Sequence, residues 1–180
     1  MRCFKERATK ILENAKYQPI NILVWGPGNP GVSADNDKIL AYQKRIQIKE
    51  VLRKNFPRAE VYFSEDREMI SISEGISGQL RKEALQARAA ALIIMLDISR
   101  GADLELDYFV PNFPWFRDKV HVFLPEEYVP PKGLVKEVYN FLKPEQVEGF
   151  SKKEFNTCYV ATFKAVRAAH TIALANFLKE

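Results

Sequence analysis

Two stretches of this chain concentrate the residue types that do chemistry. In "DISRGADLELD", residues 97–107, Asp97, Ser99, Asp103 and Glu105 follow directly on the apolar run "ALIIML". Carboxylates beside a hydroxyl at the end of a buried strand can hold a polar ligand, and a carboxylate can act on it as nucleophile or charge stabiliser. Plainer roles exist for the same residues. Asp103 and Glu105, near a helix start, are favoured there by the helix dipole, and Asp97 can cap its own turn. In "VWGPGNPGVSADND", residues 24–37, Gly26 and Gly31 are spaced as in a phosphate-binding loop. Val32 stands where that loop needs a lysine to reach the β- and γ-phosphates, and only the adjoining hydroxyl, Ser33, is present. A triphosphate is therefore not the expected ligand.

The elements that must position these residues follow from the apolar pattern. "NILVWG", "ALIIMLDIS" and "KVHVFLP" have the strand signature of short β-branched or aliphatic runs bounded by turn signals, and "AEVYFSE" is a weaker fourth. Helical patterns lie between them: "DKILAYQKRIQIKEVLRKNF", "SGQLRKEALQARAA" and a shorter one beginning near "ADLELDYF". "GLVKEVYNFL", the extended "EQVEGF" and a long closing helix, "NTCYVATFKAVRAAHTIALANFLKE", complete the chain. Strands alternating with helices call for a parallel sheet covered on both faces. The expected architecture is an α/β, flavodoxin-like doubly wound, mainly parallel five-stranded sheet of order 2-1-3-4-5, forming a single domain over residues 1–180. Residues 1–18 read as a helical extension, with Phe4, Ala8, Ile11, Leu12 and Ala15 as the apolar stripe of a helix over residues 3–16.

In that strand order a crevice opens beyond the carboxyl ends of strands 1 and 3, whose crossover helices leave on opposite faces. The two opening stretches meet there. Other uses of the architecture fail on the same residues. A phosphoacceptor receiver needs an acidic pair after strand 1, where Gly26, Pro27 and Gly28 stand, and a flavodoxin needs hydroxyls where Pro27 and Pro30 stand. Gly26, Gly28 and Gly31 do spell G-x-G-x-x-G, but the prolines interrupt the loop and the helix begins only near Asp37, so a dinucleotide fingerprint is a weak match.

The glycine-proline turn after strand 1, "FSED" after strand 2, "QARAAALIIMLDISRGADLELDYF" through strand 3 and the closing helix resemble the nucleoside 2-deoxyribosyltransferase-like and TIR-like group, over roughly residues 20–175. The resemblance implies an enzyme that cleaves or transfers at an N-glycosidic bond of NAD or a nucleoside derivative. A glutamate near the start of the helix after strand 3 attacks or stabilises the anomeric carbon in that group; here it is Glu105, with Asp97 as its catalytic companion. Asp97 and Ser99 would orient the sugar, and Gly26, Pro27, Gly28, Asn29 and Gly101 would enclose the nucleotide. Such cleavage develops oxocarbenium character that a carboxylate can stabilise or trap. No metal or cofactor is implied, NAD being a substrate if it binds. The TIR side implies a place in bacterial antiviral defence, as a toxic effector or signal-maker latent until assembled. A non-catalytic module of the same fold, sensing a nucleotide or scaffolding a complex, is the other reading. The chain departs from the group in two places. Ser99 holds the position where the transferases commonly carry aspartate, and the tryptophan-cysteine pair of the TIR branch is missing.

The remaining features are plainer. With 47% hydrophobic and 28% charged residues the chain is of ordinary globular composition, and a net charge of +4 spread along it does not call for nucleic acid. The charged N-terminal stretch lacks a signal-peptide core and no run is long enough to span a membrane, so a cytoplasmic protein is expected. Cys3 and Cys158 fit no disulfide framework or zinc site. In "QKRIQIKEVLRK", Ile46, Ile48, Val51 and Leu52 are expected to face a core while the lysines and arginines sit in water. His121 and His170 read as structural, "PNFPWFRD" as aromatic packing over the sheet or a wall for a base, and "SEDREMISISEG" as a lid or partner loop. On the last helix Tyr159, Phe163, Val166, His170, Ala173 and Phe177 form the expected core stripe. Ala161, Ala165, Ala168, Ala169 and Ala175 leave room for another helix, hence an expected homo-oligomer or hetero-assembly.

Overall fold

A computed structural model of the chain describes residues 13–31, 36–97, 100–125, 135–150 and 156–179. Five parallel strands, β1 (Asn21–Trp25), β2 (Glu60–Tyr62), β3 (Leu92–Leu96), β4 (Val120–Pro125) and β5 (Val147–Phe150), form one sheet of order β2-β1-β3-β4-β5. This is the expected flavodoxin-like doubly wound arrangement. The central strands are buried along almost their whole length: β3 has no accessible residue and β1 exposes only Asn21. Covering helices on both faces demand this, because neither face of such a strand meets water.

The pleat sends alternate residues to two separate cores. Ile22 and Val24 of β1 and Leu92, Ile94 and Leu96 of β3 pack with Ile48, Leu52 and Phe56 beneath α1 (Asn36–Asn55), and with the alanines of α7 (Asn156–Phe177). Leu23 and Trp25, with Ile93 and Met95, face the other way. They meet Met69 of α2 (Arg67–Ile72), Ala87 of α3 (Gln79–Ala89), and Ala102, Leu106, Phe109 and Val110 of α4 (Arg100–Asn112). Phe116 of α5 (Pro114–Arg117) and Tyr139 of α6 (Val135–Tyr139) close that second core. Phe116 and Phe109 both stack near Trp25, with ring centroids 5.7 and 5.5 Å away, so the "PNFPWFRD" segment packs over the sheet as the plainer reading had it.

On α7 Ala173 is buried and Val166 packs partly against the core, as expected, but Phe163 faces outward, Ala175 is exposed, and the other four alanines set aside for a further helix are buried in the core. Ala161, Ala165, Ala168, Ala169 and Ala173 are the buried face, whereas Phe163 is 68% exposed and Val160 43% exposed. Small side chains allow close approach, and the helix that approaches is the chain's own α1: Phe56, just past its end, meets His170 edge-on at 6.1 Å. Of the expected N-terminal helix, residues 13–15 are helical and Ala15 is fully buried in the α1/α7 core; residues 1–12 lie outside the described residues. The connection after β2 contains α2, which buries Met69 and exposes Ile70 and Ile72. Among the described residues no helix is long and apolar enough to cross a membrane.

Candidate functional site

At the carboxyl end of the sheet the start of the β1 loop packs closely on the end of β3. Gly26 has φ +149°, and a β-carbon there would stand 3.0 Å from Leu96 Cβ and 3.6 Å from Arg45 Cδ. Glycine is required at this point, for close packing of chain against chain. Gly28 has open space where a side chain would be. At Gly31, φ is +73°, and its N–H donates to Asn29 Oδ1 at 3.1 Å, so Asn29 serves the turn.

Arg45 holds this loop. Its guanidinium donates to the Val24 carbonyl from Nε and Nη2 at 3.1 and 3.0 Å, and to the Pro27 carbonyl from Nη1 at 3.2 Å. Both oxygens of Glu65, just after β2, accept from it at 2.7 Å, the bidentate geometry of a strong charge-assisted pair. The Phe63 ring lies 4.2 Å beneath it. Arg45 is 1% exposed and Lys44 4%, so the expectation that the basic residues of α1 sit in water is wrong for both. For Arg45 the reason is visible: carbonyls at a sheet end, a carboxylate and an aromatic face satisfy the buried cation.

Helix α4 begins at Arg100, a little earlier than expected, which places Gly101 in its first turn, Asp103 at its acidic start and Glu105 two residues further in. The dipole argument therefore applies to Asp103 more than to Glu105. Glu105 is half-buried and lies within electrostatic reach of Glu83, a 6%-exposed residue of α3 whose Oε1 accepts from Gln79 at 2.6 Å. Burial, then the facing Glu83, push Glu105 up to about 8, against the opposing pull of Arg45. Burial likewise raises Glu83.

Asp97 is a second carboxyl held up in this way. It ends β3 at 5% exposure, and its Oδ2 accepts from the Tyr139 hydroxyl on α6 while Oδ1 receives no hydrogen from a described donor. Burial, then the Asp103 carboxyl within hydrogen-bonding reach, push Asp97 up to about 7, and the Tyr139 hydroxyl is raised above its ordinary value by burial and by Asp97. Ser99 and Ser33 lie outside the described residues.

The structure thus gathers Asp97, Glu105 and the Gly26–Pro27 turn, and adds Arg45, Glu65, Glu83 and Tyr139, which sequence reasoning missed. A signal existed for Arg45: it shares the helical spacing of the buried Ile48, Leu52 and Phe56. Glu83 similarly stands one turn before the buried Ala87. Chemically, a carboxyl that burial and acidic neighbours keep protonated toward neutral pH offers a transferable proton and, once it is given up, a negative charge at the same place. No protein-family model matches this chain, and no curated protein matches it significantly.

Proposed function

We propose that this chain cleaves or transfers at an N-glycosidic bond of a nucleoside derivative or NAD, with Glu105 at the anomeric carbon. The observation that carries the reading is the gathering of poorly exposed acids near this end of the sheet: Asp97 at 5% exposure, Glu83 at 6% and the half-buried Glu105. Breaking an N-glycosidic bond needs stabilisation of an oxocarbenium-like sugar and, for a neutral base, a proton for the departing nitrogen. Glu105, pushed up to about 8, holds the proton that meets the second need, and as the carboxylate left behind it meets the first. Glu105 was expected as a plain carboxylate; as one that keeps its proton toward neutral pH it can do more. Asp97 and Asp103 are suited to receive sugar hydroxyls, which are hydrogen-bond donors to carboxylates.

The same carboxyls bear on substrate choice. Glu83, Glu105, Asp97, Asp103 and Asp107 surround the crevice, and the charge of Arg45 is already matched by Glu65. Carboxyls, protonated or ionised, offer a diphosphate no counter-charge and Arg45 is engaged by Glu65, which puts nucleosides ahead of NAD. The test is to incubate the protein with purine and pyrimidine nucleosides, their 2-deoxy forms and NAD, and to follow free base by chromatography. Release from nucleosides in preference to NAD is expected. Binding of a nucleoside by folded protein with no base released from any substrate would instead establish the sensing or scaffolding module.

A further inference from the structure

We propose that the cavity at the β2 edge of the sheet, between the strands and helices α2 and α3, is a second binding site, for a small organic amine that carries a neutral hydrogen-bond donor at its other end. The site is independent of the reaction above. Its cavity of about 260 Å³ is walled by residues 21–23 at the start of β1, by β2 and by the two helices, whereas the crevice lies past Trp25 at the opposite end of β1. Gln86 of α3 is part of the wall and 4% exposed. Its Nε2 donates to the Ser64 carbonyl at 3.1 Å and to the Met69 carbonyl at 3.0 Å, while Oε1 receives no hydrogen from a described donor. The two bonds use both hydrogens of the amide and fix its orientation, so an acceptor is what Gln86 has left to offer.

The rest of the wall says what surrounds that acceptor. Glu60 and Glu68, both exposed, contribute carboxylates, and no lysine or arginine belongs to the lining. Leu23, Met69 and Ile72 contribute apolar surface, and Ile72 is 42% exposed, an uncovered aliphatic side chain on the cavity. Burial orders these groups, with the amide acceptor inside and the carboxylates outside. A charge is poorly placed against a buried neutral amide and well placed beside exposed carboxylates, where its N–H groups make charge-assisted bonds. The occupant therefore enters with a hydroxyl or amide hydrogen toward Gln86, leaves its ammonium at Glu60 and Glu68, and covers the apolar wall with a short carbon chain.

The experiment is an NMR titration of the isotope-labelled full chain with aminopentanol, pentylamine and pentanol, following backbone amide signals. Aminopentanol should shift the signals of residues 21–23, 68–72 and 86–90 and bind about tenfold more tightly than pentylamine, which lacks the inner donor, or pentanol, which lacks the charge. Glu60→Gln combined with Glu68→Gln should weaken aminopentanol about tenfold and leave pentanol unchanged. Ala89→Phe, at an exposed position of the lining, keeps every polar group and should abolish binding by filling the space. No shift with aminopentanol at about 10 mM, where even a weak ligand of its size registers, overturns the proposal and leaves a cavity that holds water alone. Shifts centred on Gly26 and Gly28, equal affinity for aminopentanol and pentylamine, or binding unchanged in both variants overturns it as well. Where Ala89→Phe does not fold, the paired glutamine variant decides, tenfold weaker binding supporting the site and unchanged binding overturning it. None of these measurements involves base release, so failure of the proposed reaction leaves them standing.

Discussion

Glu105 is the residue on which the functional reading turns, and its surroundings define what replacing it should do. Glutamine keeps the size but can neither ionise nor give up a proton. Losing about 3–5 kcal/mol of transition-state stabilisation would slow base release by roughly two to four powers of ten. The expected result for Glu105→Gln is that fall in turnover with melting at pH 6 close to the parent, since the carboxyl it replaces is largely protonated there. Unchanged turnover would remove Glu105 from the chemistry. At this scale the sequence disclosed Asp97 and Glu105 because they follow a strand end, a position readable from the apolar run before them. It concealed Arg45 because a charged residue in a basic run looks solvated. Only the carbonyls of Val24 and Pro27 and the carboxylate of Glu65, brought in from elsewhere in the chain, make its burial tolerable.

The connections and helices carry their own tests. Gly26→Ala forces a β-carbon to 3.0 Å from Leu96 Cβ at a φ that L side chains rarely adopt, and should cost about 1–3 kcal/mol in urea unfolding. Gly28→Ala meets nothing within 4 Å and should stay within about 0.5 kcal/mol of the parent. Equal effects at the two glycines would mean that the loop is not packed as described. On α7 the contrast runs along one helix: Ala165→Leu pushes a large side chain into the fully buried seam against α1 and should cost about 1–3 kcal/mol, whereas Phe163→Ser, at 68% exposure, should change stability little. If Phe163→Ser lowers apparent mass in solution, the exposed face of α7 is an assembly surface. Each element was legible as an element, because period and bounding turn residues are local. The face α7 buries was not, since its large and small stripes are both apolar and the choice depends on how closely α1 lies.

Considered as a whole, the molecule gathers protons at one end of its sheet, and its stability should depend on pH accordingly. Asp97 is held at about 7 and Glu105 at about 8, whereas in the unfolded chain both release their protons near pH 4. Between about pH 4 and 8 the folded state therefore binds more protons than the unfolded state, so this contribution is fully present below about pH 4 and is lost as pH rises through 7 and 8. The melting temperature should fall from pH 6 to pH 9, and Glu105→Gln and Asp97→Asn should each flatten the fall; a melting temperature that rises over that range would contradict the raised values of both carboxyls. The sequence by itself determined the strand order, the two-sided burial of β1 and β3 and the place of the crevice, because apolar period and the handedness of crossovers leave few ways to fold five βα units. Which charges meet in that crevice was decided only by the tertiary structure. Glu83 with Glu105, Tyr139 with Asp97 and Arg45 with Glu65 are pairs from different elements, and their meeting depends on how each helix is rotated and seated over the sheet, which no local pattern in the chain encodes.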